Sequence, residues 1–375
     1  MDFTFNEEQS LIQGQVEQFI QRDYDWETRQ SFIPSDLGFS SDNWKTFAEL
    51  GWLGISLSEE SGGFGGTSID TMIIMEEFGK GLVLEPFLET VVMCAGLIDM
   101  AGSPDQKKDI LTGVIEGKTQ LAMAYAEPQS RFNLSDVMTE AKREGDNFIL
   151  NGFKSVVMNG PNAHHIIVSA RTSGDQRDDS GASLFIVDAN SSGLSLRDYQ
   201  TVDNRRASEV TLESVTVPAS SLIGELDEGL SILESSIDKS ILAISAEAVG
   251  AMEVLYKTTV EYTKTREQFG TAIGKFQVLQ HRMVDMFMEY EQCKSLLYMA
   301  TMKHDEAAPD SKKAISGLKY QVGNAAKFIG QQAVQLHGGM GVTDELNVGH
   351  YFKRLTTIGT IFGNSDHHLK RYTGL

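Results

Sequence analysis

Cysteine is scarce in this chain, and so is positive charge. Its 375 residues include two cysteines, Cys94 and Cys293, far apart, with no CxxC, no HExxH and no histidine–cysteine cluster. Disulfide frameworks and zinc-type centres therefore lack a ligand set, and a reducing cytosol is the expected compartment. Lys and Arg number 32 against 52 Asp and Glu, a formal charge of −20. Such a surface repels nucleic-acid phosphates and anionic lipid, so neither nucleic acid nor membrane is expected as a partner. The N-terminus, Met1-Asp2-Phe3-Thr4-Phe5-Asn6-Glu7-Glu8, is acidic and leads into no apolar core of signal-peptide length, and no later run approaches a membrane span. A cytoplasmic protein is the expectation. Phosphate loops are missing too. Ser61-Gly62-Gly63-Phe64-Gly65-Gly66-Thr67 is rich in glycine but is not GxGxxG and follows no strand signal, while Gly113 to Gly117-Lys118 is one residue short of a P-loop. Both read as loops.

What is present divides the chain in three. Hydrophobic residues make up 41%, a globular share, and the length exceeds one ordinary core. Residues 1–120 carry a helical period: Leu11, Val16, Phe19 and Ile20 share a stripe, and Ser41 to Leu50 predicts a second helix. Residues 121–225 turn to short runs rich in branched side chains, Phe148-Ile149-Leu150, Ser155-Val156-Val157-Met158, Ile166-Ile167-Val168 and Ser183 to Val187, which predict strands. Asn151-Gly152 predicts a hairpin turn between two of them, and Val210, Leu212, Val215 and Val217 alternate about a kink before Pro218. In residues 226–375 the helical period returns, with Phe276, Leu279, Met283, Met286 and Tyr290 stepping by three and four as the seam of a bundle helix. The expected class is α+β: an N-terminal helical domain, a small β-barrel or sandwich, and a C-terminal four-helix bundle.

Several short words recur in a particular order: Ala126-Glu127-Pro128-Gln129-Ser130-Arg131, Lys154-Ser155-Val156-Val157, Arg266-Glu267-Gln268-Phe269-Gly270, Phe276-Gln277 and Gln335-Leu336-His337-Gly338-Gly339-Met340-Gly341. Together, over the whole chain, they resemble the acyl-CoA dehydrogenases, and in particular the small subunits of two-chain enzymes such as the pimeloyl-CoA and steroid side-chain dehydrogenases. The resemblance implies FAD taking a hydride from the β-carbon of an acyl-CoA thioester while a glutamate takes the α-proton. It also implies a homologous larger subunit as partner and an electron acceptor such as an electron-transfer flavoprotein. For the ADP half of the flavin it implies Arg266 as a cation for pyrophosphate, Phe269 as an apolar wall, Gln277 and Gln335 as amide partners, and Gly338 and Gly339 for close backbone approach. For the ring half it implies Met123, Tyr125 and Ala126, with Val156-Val157-Met158 in place of the family's Trp-Ile-Thr and Ala126 in place of a threonine. Each lost hydrogen bond to a buried polar edge costs about 1–3 kcal/mol, so this ring pocket is expected to hold flavin weakly or not at all.

The base is the main departure. Its two alternative family positions map to Phe362, before Gly363, and to Ser240, and neither is acidic. Glu247, seven residues beyond Ser240, shares its helix face roughly 10 Å farther along. It is a candidate base or else a partnered polar group within the bundle. His367-His368 after Asp366 reads as a polar tail rather than a proton relay, and Lys353, Arg354, Lys370 and Arg371 read as a contact for a partner or CoA phosphate, or as a solvated helix end. Three functions stay open: a subunit that helps hold a partner's FAD, a self-sufficient homomeric dehydrogenase using Glu247 or another acid, and a non-enzymatic CoA-ester-binding or scaffold subunit.

Overall fold

A computed structural model describes residues 4–375. The helices open with α1 (Glu7–Asp23), α2 (Trp26–Phe32), α3 (Ser41–Glu49) and α4 (Ser68–Gly81). A π-helical stretch Leu88–Ala95 then runs into α5 (Gly96–Ala101), and α6 (Pro104–Gln106), a second π-helical stretch Lys107–Leu111 and α7 (Thr112–Ile115) follow. The strands are β1 (Leu121–Ala124), β2 (Glu140–Glu144), β3 (Asn147–Met158), β4 (His165–Arg171), β5 (Ala182–Asp188), β6 (Leu194–Gln200), β7 (Arg206–Pro218) and β8 (Leu222–Ile223). The remaining elements are α8 (Gly229–Thr265), a two-strand arm of β9 (Glu267–Gln268) and β10 (Thr271–Ala272), and then α9 (Gln277–Asp305), α10 (Ser311–His337), α11 (Val348–Ile358) and α12 (Ser365–Gly374). Helices, strands and helices thus follow one another in the expected α+β order.

By contacts the chain forms two compact units. One comprises residues up to 31, 67–83 and 241–375; the other comprises 32–66 and 84–240. The N-terminal helical segment contributes to both. In the first unit α1 starts at a capping box: Asn6 accepts from Gln9 N at 2.8 Å, and Gln9 Oε1 accepts from Asn6 N at 3.2 Å. Thr67 and Asp70 repeat the device at α4, so the glycine-rich 61–67 segment is the loop the sequence predicts. Within the bundle, α4 crosses α8 with backbones in contact. A Cβ on Gly79 would stand 2.0 Å from Glu247 O, and one on Gly250 1.8 Å from Glu76 O. Only glycine at both positions lets the helices approach so closely.

The second unit is built on one sheet with strand order β6-β7-β3-β2-β4-β5-β8, β1 pairing in parallel with β4. Its core buries Phe148, Leu150, Val157, Ile166, Val168, Phe185, Val210, Leu212, Val215 and Val217, branched and aromatic side chains that pack well on a pleated surface. The predicted hairpin at Asn151-Gly152 is not there. Both residues lie inside β3, and the tight turn is Gly145-Asp146, between the paired Glu144 and Asn147, with Gly145 at φ +62°. Gly152 is needed for a different reason, since a Cβ there would stand 2.4 Å from Thr139 Oγ1 and 2.7 Å from Thr139 Cα. The break in alternation between Leu212 and Val215 marks a β-bulge, with Ser214 at φ +55°. A second bulge on β3 puts Val156 at φ +53° and leaves it 55% exposed.

Candidate functional site

The C-terminal words of the sequence meet in the first unit. Tyr262, one turn from the end of α8, stacks on His337 at the end of α10 with ring centroids 4.3 Å apart, and its hydroxyl reaches His337 O at 3.4 Å. Arg266 follows one turn later, continuing α8 by donating its N–H to the Tyr262 carbonyl at 2.9 Å, so it lies about one helical turn from the ring that stacks on His337. Past Arg266 the chain forms the β9–β10 arm, whose turn residues Phe269 and Gly270 have φ +56° and +77°. Positive φ at both central positions is the turn that matches strand twist, but for a phenylalanine it costs about 1–2 kcal/mol. The ring at that strained tip is 92% exposed. Arg266, Gln277, Gln335, Gly338 and Gly339 are exposed as well. Gly338 adopts φ +62°, ψ −140°, a conformation reserved for glycine, and nothing lies within 4 Å of a Cβ on Gly338 or Gly339. Burial keeps His337 below its ordinary pKa despite its bond to Ala333 O at 2.8 Å, so the cation of this cluster is Arg266 and not His337. A cation, two amides, open glycine backbone and an uncovered aromatic ring suit a nucleotide pyrophosphate with its adenosine.

In the second unit Met123 is buried on β1, and Tyr125 and Ala126 follow it half-buried. Burial raises the Tyr125 phenol pKa, so it stays a neutral hydroxyl. The loop is tied to β3 twice. Ser155 N donates to Ala126 O at 2.9 Å, and Glu127 accepts from Lys154 Nζ at 2.7 Å, Met138 N at 2.8 Å, Thr139 N at 3.0 Å and Gln129 Nε2 at 2.8 Å. Burial pushes the Glu127 carboxyl up, but the Lys154 charge and these hydrogen bonds outweigh it and hold the pKa below the usual range. Lys154 is fully buried, and desolvation pulls its pKa down to about 8 against the pull of Glu127. The Glu127–Lys154 pair was not singled out in the sequence as an interaction. Its signal was a lysine at an inward-facing strand position. Of the triplet after it, Val157 enters the core, Met158 is half-buried and Val156 lies open.

The positions for a base are occupied otherwise. Phe362 is half-buried at φ +59°. Ser240 is buried and donates to Ser236 O at 2.8 Å, one turn back. Glu247 is gripped by both arms of a guanidinium: Arg354 Nε donates to Oε1 at 2.7 Å and Nη2 to Oε2 at 2.6 Å, with the side chains 4% and 1% exposed. This bidentate pair corrects the reading of Arg354 among the four basic residues Lys353, Arg354, Lys370 and Arg371. Arg354 is neither solvated nor offered to a phosphate, and Arg371 bonds Ser316 Oγ at 3.2 Å. The tail is also not simply polar, because α12 buries His368 against the Phe362 carbonyl. Among the described residues no group of three His, Cys, Asp or Glu is placed to hold a metal, and no helix is long and apolar enough to cross a membrane.

Models of the acyl-CoA dehydrogenase N-terminal, middle and C-terminal domains match residues 6–118, 122–215 and 227–372. The chain belongs to the acyl-CoA dehydrogenase family. It is 30% identical over 359 residues to the short-chain specific acyl-CoA dehydrogenase of Clostridium acetobutylicum, covering 93% of this chain and 92% of that one. Two solved structures superpose closely: the FAD complex of PigA, with a TM-score of 0.93 at 28% identity over 100% and 98% of the two chains, and a variant of the Tcur3481–Tcur3483 steroid ACAD, with a TM-score of 0.88 at 28% identity over 98% and 97%. Acyl-CoA dehydrogenases are flavoprotein oxidoreductases acting on CH–CH bonds, and FAD is the cofactor that membership and these likenesses support. The backbone at Gly338 and Gly339, with nothing within 4 Å of a Cβ at either position, leaves room for a cofactor to approach the main chain.

Proposed function

We propose that this chain is the subunit without a base in a heteromeric, FAD-dependent acyl-CoA dehydrogenase. A homologous larger subunit supplies the glutamate, the flavin-ring pocket and the acyl cavity. One observation carries the reading: Phe362 and Ser240 have no carboxylate, and Glu247 has both oxygens committed to Arg354. The α-proton of an acyl-CoA is only weakly acidic, so its removal needs a carboxylate free to accept it. FAD, when bound, supplies the acceptor for the β-hydride. This chain's part is to hold. Arg266 pairs with pyrophosphate, Gln277 and Gln335 bond its oxygens, Gly338 and Gly339 admit it to the backbone, and Phe269 covers the adenosine. Likeness to a two-chain steroid ACAD supports the assembly, and bulky or polar-tailed acyl-CoA esters suit it. Reoxidation falls to an electron-transfer flavoprotein, and the compartment is the cytoplasm.

The test is co-purification with the homologous partner and a count of FAD per chain. The expected ratio is about one flavin per two chains, with Arg266→Ala stripping most of it and Ser240→Ala leaving turnover nearly intact. One flavin per chain together with turnover by the lone polypeptide would replace this reading with a homomeric enzyme, and no flavin at all with a scaffold.

A further inference from the structure

The turn at residues 359–363 ends in two positive-φ residues, +59° at Phe362 and +116° at Gly363. Left-handed backbone at a phenylalanine persists only where the surroundings over-determine it. Two buried side chains do so here. Lys319 of α10, 1% exposed, donates from Nζ to Ile358 O at 2.8 Å and to Gly363 O at 3.1 Å. It thereby satisfies a carbonyl at the end of α11 that the helix itself leaves unpaired. His368 of α12, also 1% exposed, has Nε2 3.0 Å from Phe362 O. A carbonyl only accepts, so Nε2 carries the proton. Gly363 is obligatory, because a Cβ there would stand 2.6 Å from His367 Cδ2 and 2.8 Å from His368 Nε2. A leucine in place of Lys319 would fill much of the same space without desolvating an amine, so the amine is retained for its donors. All three contacts end on main-chain oxygens, and none uses the side chain of residue 362.

We propose that Lys319 and His368 are positioning residues that pin this turn through its backbone, so that position 362 is presented in one fixed geometry whichever side chain it carries. The inference rests on the reading of 362 as the position where the family's base stands. On this account the loss of the base was a change of side chain on an unchanged support.

Hydrogen exchange, read by mass spectrometry on the purified full-length chain, tests the assignment. Lys319→Met and His368→Leu are each expected to speed exchange of the 358–364 amides about tenfold. His368→Gln, which restores a donor near Nε2, is expected to stay within about twofold of wild type, and Phe362→Glu to leave the turn unchanged. Amides of α1 and α4 serve as the internal control and stay constant. The proposal is overturned if Lys319→Met and His368→Leu leave the turn as protected as wild type, if His368→Gln fails to rescue, if Phe362→Glu loosens the turn, or if the acceleration spreads equally to α1 and α4. Should Lys319→Met not fold, the His368 pair and Phe362→Glu decide. The flavin count of the wild-type complex judges the subunit reading separately, since none of these exchange rates depends on it.

Discussion

A carboxylate that is nearly inaccessible and bonded through both oxygens is a structural element, and the Glu247–Arg354 pair behaves as one only if removing either partner strands the other. Leaving a buried charge unpaired costs about 3–5 kcal/mol. Arg354→Met is therefore expected to lower the unfolding free energy extrapolated from denaturant curves by that amount, and Glu247→Gln by somewhat less. Glu247→Leu combined with Arg354→Met should recover much of the loss, because no charge remains to strand. A Glu247→Gln protein of wild-type stability that had lost turnover would instead make Glu247 the base. The pairing was partly legible. Tyr351, Leu355 and Ile358 are the apolar stripe of α11, and Arg354 lies within it, which marks the arginine as inward-facing. Its partner was not legible, because Glu247 is 107 residues away and nothing local points to it. Lys319 offers a second test at the level of one side chain. Burial lowers its pKa from 10.5 to about 7. Between those values the unfolded chain binds a proton that the folded chain does not, so stability rises with pH through the window, with a slope of up to about 1.4 kcal/mol per pH unit. Below about pH 7 the lysine is charged in both states and its slope vanishes. His368, lowered to about 3 by burial and by Lys319, with His367 and Arg371 alongside, governs a separate acid limb in which stability falls as pH drops from about 6.5. Unfolding curves taken across about pH 4–10 should thus lose the upward slope between about pH 7 and 8 in Lys319→Met and keep a shallower one above it, where Lys154, lowered to about 8, still contributes, while the acid limb below about pH 6.5 remains.

Among the elements, the α4–α8 crossing carries the strictest requirement. Glycine to alanine inside a helix ordinarily gains about 0.5–1 kcal/mol. At Gly250 the new methyl would meet Glu76 O at 1.8 Å, backbone that yields only if the helices move apart. Gly250→Ala is expected to cost about 1–3 kcal/mol or more. Gly14→Ala, in α1 with nothing within 4 Å of its Cβ, should go the other way and stabilise the protein. Thermal unfolding of the two variants side by side checks the opposite signs, and equal shifts would mean that the crossing is looser than its geometry. Periodicity in the sequence located these helices, but not which glycines face a neighbouring backbone. The same gap explains the misplaced hairpin. Asn-Gly between branched residues is a strong turn signal taken locally, yet Gly152 answers to Thr139, thirteen residues earlier, and the β7 bulge was readable only because the alternation of Leu212 and Val215 slips by one.

For the molecule as a whole, family and α+β order were legible because many short words had to fall in one order along the chain. The proposed division of labour between subunits is only half legible, since the sequence records that Phe362 and Ser240 carry no carboxylate but not which chain would supply one. Net charge adds a constraint of its own. The bundle unit exposes Phe269 at 92%, Val284 at 53%, Met288 at 51% and Phe287 at 45%, apolar surface that favours association. Two copies of this chain would bring together two charges of −20. Over distances comparable with the screening length, about 30 Å at 0.01 M and about 10 Å at 0.1 M salt, that repulsion opposes self-pairing. The lone chain is therefore expected to sediment as a monomer at low ionic strength and to shift toward a dimer as salt is raised, whereas an association dominated by surface ion pairs would dissolve under the same change. Sedimentation velocity across a salt series reads the direction, and a lone chain that is fully dimeric at about 0.01 M salt would mean that apolar contact, not net charge, governs its pairing. In that case the proposed preference for a different partner would have to come from shape or from local contacts, because charge would no longer discourage the homodimer.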